Sequence, residues 1–391
     1  MRDKSRTPVI CGIGLSDAPV APHLDTRGHH VQSFQRALAD SGVQKADIDG
    51  YFMAEPWIPG VPGFELPEMV DYLGLDPRWV DGTYTGGSAA EFHLQHAEAA
   101  IRSGMAETVL ITYGSDFLTR MGRSLGTGYS RNAHDSAQYE TFYGTTTVSN
   151  YAMAAMRHMH EFGTTPEQLA AVAVGVREFA GFNPKARYRK PISVEDVLNS
   201  RVVSEPLHLL DCCAVTDGGA AIIVTTEERA RDLNQPPVYV LGSAGRQTHW
   251  NFSQDPDLTT TAGAKAGPEA FARAGIKPDD VDLVMLYDSF TITCILLLES
   301  LGFCGRGEGG ALAESGALRR GGRLPMNTDG GGLSSCHPGL RGMFLLAEAV
   351  RQIRGQAGEV QVPDCEIAVA AGSGGYLSAI GVSVLGKDGL S

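Results

Sequence analysis

Two stretches far apart in this chain carry the same pattern. "RALADSGVQKADIDGYFMAE" near the start matches "EAFARAGIKPDDVDLVMLYD" in the second half, with Gly42 answering Gly275 and Asp47-Ile48-Asp49 answering Asp280-Val281-Asp282. Further along each half the match returns: "AEAAIRSG" from Ala97 and "AEAVRQIRG" from Ala347, each followed by an apolar run ending in Gly-Ser, "TVLITYGS" and "EIAVAAGSGG". One such coincidence is cheap, but the same order found twice is the mark of an internal repeat. The chain must therefore fold as two related halves, each carrying helix, glycine stop, strand, buried helix and strand.

The runs "PVICGIG", "TVLITYG", "AAIIVTT", "PVYVLGS", "DLVMLYD" and "EIAVAAG" are short and apolar throughout, as strands covered on both faces are. Helical patterns alternate with them, so the expected class is α/β, with two related sheets in layers. The first half is expected to span residues 1–235 and the second 236–391, with an inserted region at 116–215. Within the insertion, "NYAMAAMRHMHEFG" reads as a helix stopped by Gly163. "TTPEQL" starts the next one, with Thr165 as cap, Pro166 in the first turn and Gln168 at the capping-box position. Ser193 caps a third helix in "SVEDVL". The glycine-rich stretch before "LSSCHPG" reads as a solvated loop whose end walls a pocket.

A formal charge of −13 and a pI near 5.3 oppose a duplex nucleic-acid partner, which needs a basic face. The seven cysteines form no CxxC pair and no metal-ligand spacing, so they read as reduced thiols and no metal site is expected. No run of about 18 apolar residues exists, and no apolar stretch follows the N-terminus, so a cytoplasmic protein with no membrane span is expected.

Chemistry is suggested at "VDGTYTGGSAAEF", Val80 to Phe92, where a strand turns through a glycine pair into a helix opening on small residues. Such turns present nucleophiles at the head of a helix dipole. Here the turn offers Tyr84, Thr85 and Gly86, with no cysteine. The basic cluster "NPKARYRKP" (Lys185, Arg187, Arg189, Lys190) stands out in an acidic chain as a solvated face or a phosphate contact. The methionines of "AMAAMRHMHEF" sit at helical spacing, which suits a core or an adaptable wall. His93, His96, His158 and His160 read as ordinary helix histidines.

The duplication, the glycine turn before a buried helix, and the motifs "REFAGFNPKARYRKPISVEDVLNSR", "DCCAVTDGGAAIIV", "LYDSF", "NTDGGGLSSCHPG" and "GSGGYLS" together resemble the thiolase superfamily. The likeness is to its sterol-carrier-protein-x, or lipid-transfer-protein, branch, and it covers the chain nearly end to end. It implies an αβαβα five-layer fold and a homodimer. Acyl-CoA would enter beneath the inserted region, with Lys185, Arg187, Arg189 and Lys190 facing its phosphates. Coenzyme A would then be part of the substrate, and no permanently bound cofactor is expected.

The departures from that family are as informative as the matches. Tyr84 stands where a thiolase has its nucleophilic cysteine, Ala371 falls near the place of the second cysteine, and Tyr287-Asp288-Ser289-Phe290 replaces the asparagine or histidine motif. Only the histidine of the "HP" motif remains, as His337. Condensation through an S-acyl enzyme needs a thiolate. The pattern instead resembles the cysteine-lacking aldolases that cleave steroid side chains, splitting a β-hydroxyacyl-CoA into a ketone or aldehyde and a short acyl-CoA such as propionyl-CoA.

Those relatives work with a small companion subunit of OB-fold and zinc-ribbon type. No covalent intermediate is needed for retro-aldol cleavage, so the elbow can lose its nucleophile and still serve an oxyanion. The resemblance marks Tyr287 and His337 as catalytic, with Asp288 as base, orienting group or helix cap, and with Tyr84 lining the pocket. Tyr376 is a further candidate, and Cys336 is a tempting thiol beside His337. Two other functions fit the same residues: a non-catalytic acyl-CoA or lipid-binding protein, and an acyltransferase component.

Overall fold

The computed structural model describes residues 6–54, 66–121 and 138–389. The first half runs β1 (Pro8–Leu15), α1 (Thr26–Ser41), β2 (Gly50–Met53), α2 (Leu66–Leu73), β3 (Trp79–Asp81), α3 (Ala89–Ser103) and β4 (Thr108–Ser115). The inserted region contributes α4 (Thr147–Phe162), α5 (Pro166–Phe182) and a small ribbon of β5 (Val202–Ser204) and β6 (Leu207–His208); β7 (Gly218–Thr226) then closes the half. The second half runs β8 (Val238–Gln247), α6 (Gly263–Ala274), β9 (Leu283–Leu286), α7 (Thr291–Ser300), α8 (Gly342–Ile353), β10 (Ile367–Gly374) and β11 (Ala379–Gly386).

The strand order is β3-β2-β4-β7-β1-β8-β11-β10-β9. Read outward from the centre, β1, β7, β4 and β2 correspond to β8, β11, β10 and β9, which is a two-fold relation between the halves. Each half pairs two parallel strands at its outer edge (β2 with β4, β9 with β10) and antiparallel strands further in. Even β3 has a counterpart: Met326 makes a single parallel bridge to Val284 at the far edge. The apolar runs predicted from the sequence fall on strands, but β11 was not among them, because its serine and glycines break up the apolar pattern.

The two related half-sheets expected from the repeat share hydrogen bonds through a short antiparallel ladder, Val9 opposite Tyr239 and Ile10 opposite Val238. Layering arises because α3 and α8 pack on each other and each touches strands of both halves, while α1 and α6 cover the outer faces of their own halves. Both outer helices end on a left-handed glycine, Gly42 (φ 80°) and Gly275 (φ 68°), where a side chain would be strained. The repeat seen in the sequence is thus a repeat of helix stops.

The insertion follows its local signals. Thr165 and Gln168 form a reciprocal capping box with Pro166 in the first turn, Ser193 and Asp196 form another, and Gly163 ends α4 in the left-handed region. A buried contact ties the insertion to the second half: His158 on α4 lies 3.1 Å from Glu299 on α7, and its other ring nitrogen meets Thr164. No helix among the described residues is long and apolar enough to cross a membrane.

Candidate active site

Four chain segments meet where the two halves converge. The first is the elbow leading into α3. The second is the end of β9, where the backbone N–H of Tyr287 donates to the carbonyl of Ala371 (2.9 Å). The third is the turn Cys336–Gly339, and the fourth is the end of β10 at Ser373 and Gly374. The close approach requires glycine: a Cβ on Gly87 would lie 2.4 Å from the Tyr287 ring and 2.3 Å from the carbonyl of Ser373.

Tyr287 and His337 are brought together. Both are buried, and their rings meet edge to face with centroids 5.4 Å apart. The Tyr287 hydroxyl donates a long bond, 3.3 Å, to the carbonyl of Gly339. Both ring nitrogens of His337 are without a partner among the described residues. An enclosed imidazole with two open positions is the arrangement a ligand or water completes. Burial and the neighbouring Arg341 charge lower the His337 pKa to about 3, so the ring is neutral at ordinary pH. Burial pushes the Tyr287 phenol well above its ordinary value. A phenol so shifted stays protonated, and Tyr287 is a hydrogen-bond donor.

Asp288 takes part through scaffolding. Its two oxygens accept the backbone N–H groups of Gly332 (2.8 Å) and Leu333 (3.1 Å), and one lies 3.2 Å from Nε of Arg341. Arg341 also grips both oxygens of Asp329 (2.6 and 2.8 Å) and donates to the carbonyl of Cys336 (2.7 Å). The Arg341–Asp288–Asp329 network therefore holds the Gly332–Cys336 backbone that leads into His337. The Thr216 hydroxyl completes it by accepting the backbone N–H of His337 (2.9 Å). Asp288 does not cap α7, whose cap position is Phe290.

The remaining candidates lie further out. Tyr84 keeps 39% of its surface exposed and so stands outside the enclosed pair. In the basic segment, Lys185, Arg189 and Lys190 are exposed, Arg187 is half-buried, and none of the four pairs with a carboxylate among the described residues. The backbone N–H groups of Arg187 and Tyr188 donate to the carbonyls of Ser335 and Ser334 (3.1 and 2.8 Å), which ties this segment to the turn before His337. Lys185 lines a cavity of about 330 Å³ shared with Asn183, Cys336, Glu348 and Arg351.

A family model described as "Thiolase C-terminal domain-like" matches residues 244–387. The chain is 37% identical to a "Steroid side-chain-cleaving aldolase" of Thermomonospora curvata, over 97% of each. The chain belongs to the thiolase superfamily. Within this superfamily it is also 35% identical to a "17-hydroxy-3-oxo-4-pregnene-20-carboxyl-CoA lyase" of Mycobacterium tuberculosis, covering 93% of this chain and 96% of that one. Proteins named acetyl-CoA acetyltransferase match at comparable identity, 36% and 30%. The solved structure of an "Ltp2-ChsH2(DUF35) aldolase" superposes with a TM-score of 0.86 at 32% identity, over 98% of each chain.

Since this thiolase-superfamily chain resembles both lyases and acyltransferases, the site has to separate them. None of its seven cysteines is in a state to act as a thiolate. Burial pushes Cys11, Cys212, Cys304, Cys336 and Cys365 up to about 12, and holds Cys213 and Cys294 well above the ordinary thiol value. Cys336, beside His337, turns its sulfur toward Thr216 (3.3 Å).

Two participants were missed from sequence. Tyr151 comes from the insertion and stacks on Phe290, with centroids 4.5 Å apart. Arg341 was legible in principle: the register that sets Ala97 against Ala347 sets Glu91 against Arg341, and both are buried charged residues at the starts of the paired central helices.

Proposed function

We propose that this chain is a carbon–carbon lyase that cleaves a β-hydroxyacyl-CoA, of the steroid side-chain class, by a retro-aldol reaction. The products are a ketone or aldehyde and a short acyl-CoA such as propionyl-CoA. The observation that carries the reading is the enclosed Tyr287–His337 pair, with open imidazole nitrogens, in a chain whose every thiol is held protonated. The names of the lyase relatives support it.

In this mechanism the Tyr287 O–H leaves the Gly339 carbonyl and donates to the thioester oxygen. The unprotonated nitrogen of His337 takes the β-hydroxyl proton. The C–O bond at Cβ becomes a carbonyl, the Cα–Cβ bond breaks, and its electron pair passes into the thioester as an enolate. The enolate charge forms in the same step as the imidazolium and offsets the Arg341 charge that otherwise disfavours it. Return of the proton to Cα releases the short acyl-CoA. Arg341, Asp288 and Asp329 hold the turn in place and are positioning residues. Lys185, Arg187, Arg189 and Lys190 supply positive charge for the coenzyme A phosphates.

The reading includes a homodimer and a small companion subunit of OB-fold and zinc-ribbon type. The superposed aldolase carries a second component in its own name, ChsH2(DUF35) beside Ltp2, which supports a companion here. On the homodimer side, β3 is the edge strand of the sheet among the described residues, an edge suited to a second copy. The test is to coexpress the chain with its companion and incubate it with β-hydroxyacyl-CoAs. A ketone or aldehyde with propionyl-CoA or acetyl-CoA is expected. Tight binding with no product would replace the lyase by an acyl-CoA carrier.

A further inference from the structure

One carboxyl lies between the two halves without a polar contact of its own. Glu91, in the first turn of α3, keeps 1% of its surface exposed, and neither carboxyl oxygen has a hydrogen-bond partner among the described residues. Three glycines of the second half make room for it. A Cβ on Gly372 of β10 would lie 2.1 Å from one Glu91 oxygen, and a Cβ on Gly342, at the head of α8, 2.6 Å from the same oxygen. A Cβ on Gly381 of β11 would lie 2.6 Å from the Glu91 Cβ. Each approach is closer than side chains tolerate, so the facing backbone is shaped to this one residue.

The segments that Glu91 touches are those that build the site. Gly342 follows Arg341 and opens the helix beyond the Cys336–Gly339 turn. Gly372 follows Ala371, whose carbonyl accepts the backbone N–H of Tyr287 at 2.9 Å. Gly87, one helical turn before Glu91, crowds the Tyr287 ring, and its carbonyl lies 2.8 Å from where a Gly342 Cβ would stand. One side chain thus backs the elbow, the end of β10 and the head of α8 together.

No opposite charge answers it. Strands β10 and β11 carry no ionisable side chain. From α8 comes Arg341, whose guanidinium is engaged by Asp288, Asp329 and the carbonyl of Cys336. Along α3, His93 lies against Phe52 (centroids 6.0 Å) and His96 meets Asp81. Tyr287 stands beyond Gly87, and burial keeps its phenol protonated. The heads of α3 and α8 favour negative charge nearby. Neither gives an N–H to the carboxyl, and a dipole without a hydrogen bond is the smaller effect against taking a carboxylate out of water. Burial accordingly holds Glu91 well above the usual carboxylate range.

We propose that Glu91 is a positioning residue that works as a neutral carboxyl, wedged between the halves to hold the elbow, Tyr287 and the His337 turn in their spacing for cleavage. The effect on turnover rests on the lyase reading; the state of the carboxyl does not.

The first test is urea unfolding of the full chain, wild type beside Glu91→Gln, at several pH values. The unfolded chain releases this proton near the ordinary 4.5, whereas the folded chain keeps it, so stability present below that value is lost as pH rises. Relative to the variant, the wild-type unfolding constant should grow about tenfold per pH unit between about pH 5 and 8. Parallel behaviour would show an ionised or hydrated carboxyl and overturn the proposal. This comparison uses no activity and only the conservative variant.

The second test is turnover of a β-hydroxyacyl-CoA by the chain with its companion. Glu91→Ala should lower kcat about tenfold or more with KM within about threefold, because the reacting groups lose their spacing while the coenzyme A contacts lie elsewhere. Glu91→Gln, neutral and close in shape, should keep most of kcat. Wild-type kcat in Glu91→Ala would overturn the proposal, and so would Glu91→Gln as slow as Glu91→Ala. If the alanine variant does not fold, Glu91→Asp, which draws the carboxyl back by one methylene, replaces it; a several-fold loss of kcat is expected, and none would overturn the proposal. Should the wild type cleave no thioester, the lyase reading fails by itself, and the wedge is judged by hydrogen exchange of the Tyr287 amide. Faster exchange in Glu91→Ala than in wild type and Glu91→Gln is expected; equal exchange in all three would reject the wedge.

Discussion

Asp288 and Arg341 meet in the interior with both side chains fully buried, a carboxylate oxygen 3.2 Å from the guanidinium Nε. Between them they tie the backbone at Gly332 and Leu333 to the carbonyl of Cys336, the two ends of the segment that leads into His337. Removing one partner of a buried pair leaves an uncompensated charge and typically costs about 3–5 kcal/mol. Arg341→Met should therefore lower unfolding stability by roughly that amount in urea titrations. The double variant Asp288→Asn/Arg341→Met should recover part of the loss, because the fully buried carboxylate is then neutral and only the Asp329 carboxylate lacks its guanidinium. A drop below about 1 kcal/mol for Arg341→Met would mean that the turn is held by other contacts.

His337 titrates far from the usual imidazole range, at about 3. The ring is neutral above that value, so it imposes no acid limb on kcat/KM between about pH 5 and 8. His337→Gln should reduce cleavage by about a hundredfold or more while leaving the overall fold intact. A wild-type limb near pH 6.5 that vanishes in this variant would show that the imidazole is solvated in the working enzyme, and the geometry would have to be redrawn.

Gly87 gives Tyr287 its place. A Cβ there would overlap the ring at 2.4 Å, so Gly87→Ala must push Tyr287 or the elbow aside. Overpacking of this kind costs about 1–3 kcal/mol, and the displaced phenol should lower turnover about as far as Tyr287→Phe does, roughly a hundredfold. Steady-state kinetics of both variants beside thermal unfolding reads this directly. A Gly87→Ala enzyme with wild-type turnover would show that the Tyr287 hydroxyl is not required where it stands.

Thiol chemistry is testable by its absence. With Cys336 pushed up to about 12 and directed at Thr216, Cys336→Ala should retain turnover within several-fold, and prolonged exposure to iodoacetamide near neutral pH should leave activity largely intact. Loss of activity in step with alkylation of one cysteine would restore a thiol to the mechanism.

The sequence made the fold legible wherever a local rule had one outcome. Gly42, Gly163 and Gly275 stop helices, Thr165 and Ser193 open them, and apolar runs form the sheet. Tyr287 and His337 could be marked because motifs carried them. What they do to each other's environment could not be read, since each pKa depends on burial assembled from both halves. Arg341 was overlooked because its partners Asp288 and Asp329 reach it only through the fold, and its single local trace is the repeat register. Tyr151 belongs to the insertion, which has no counterpart in the second half, so the duplication says nothing about where its ring points.

The folded chain also carries a pH liability away from the site. His30 on α1 is buried against Thr112, 2.8 Å from its hydroxyl, and burial lowers its pKa to about 3 from the ordinary 6.5. The sign follows from proton counting. Below pH 6.5 the unfolded chain takes up a proton that the folded chain refuses until about pH 3, so stability present above pH 6.5 is lost as pH falls through that window. The slope for one group is about 1.4 kcal/mol per pH unit, or roughly 2–3 kcal/mol between pH 7 and 4.5. Buried carboxyls such as Glu348, raised to about 7, act in the opposite direction, so the total dependence of the wild type is not diagnostic. The difference between two proteins is. Denaturant titrations of the wild type and His30→Gln at pH 7 and 4.5 should show the variant losing less stability on acidification by about that amount. Parallel losses would place the His30 imidazole in contact with water and remove it from the acid sensitivity of the fold.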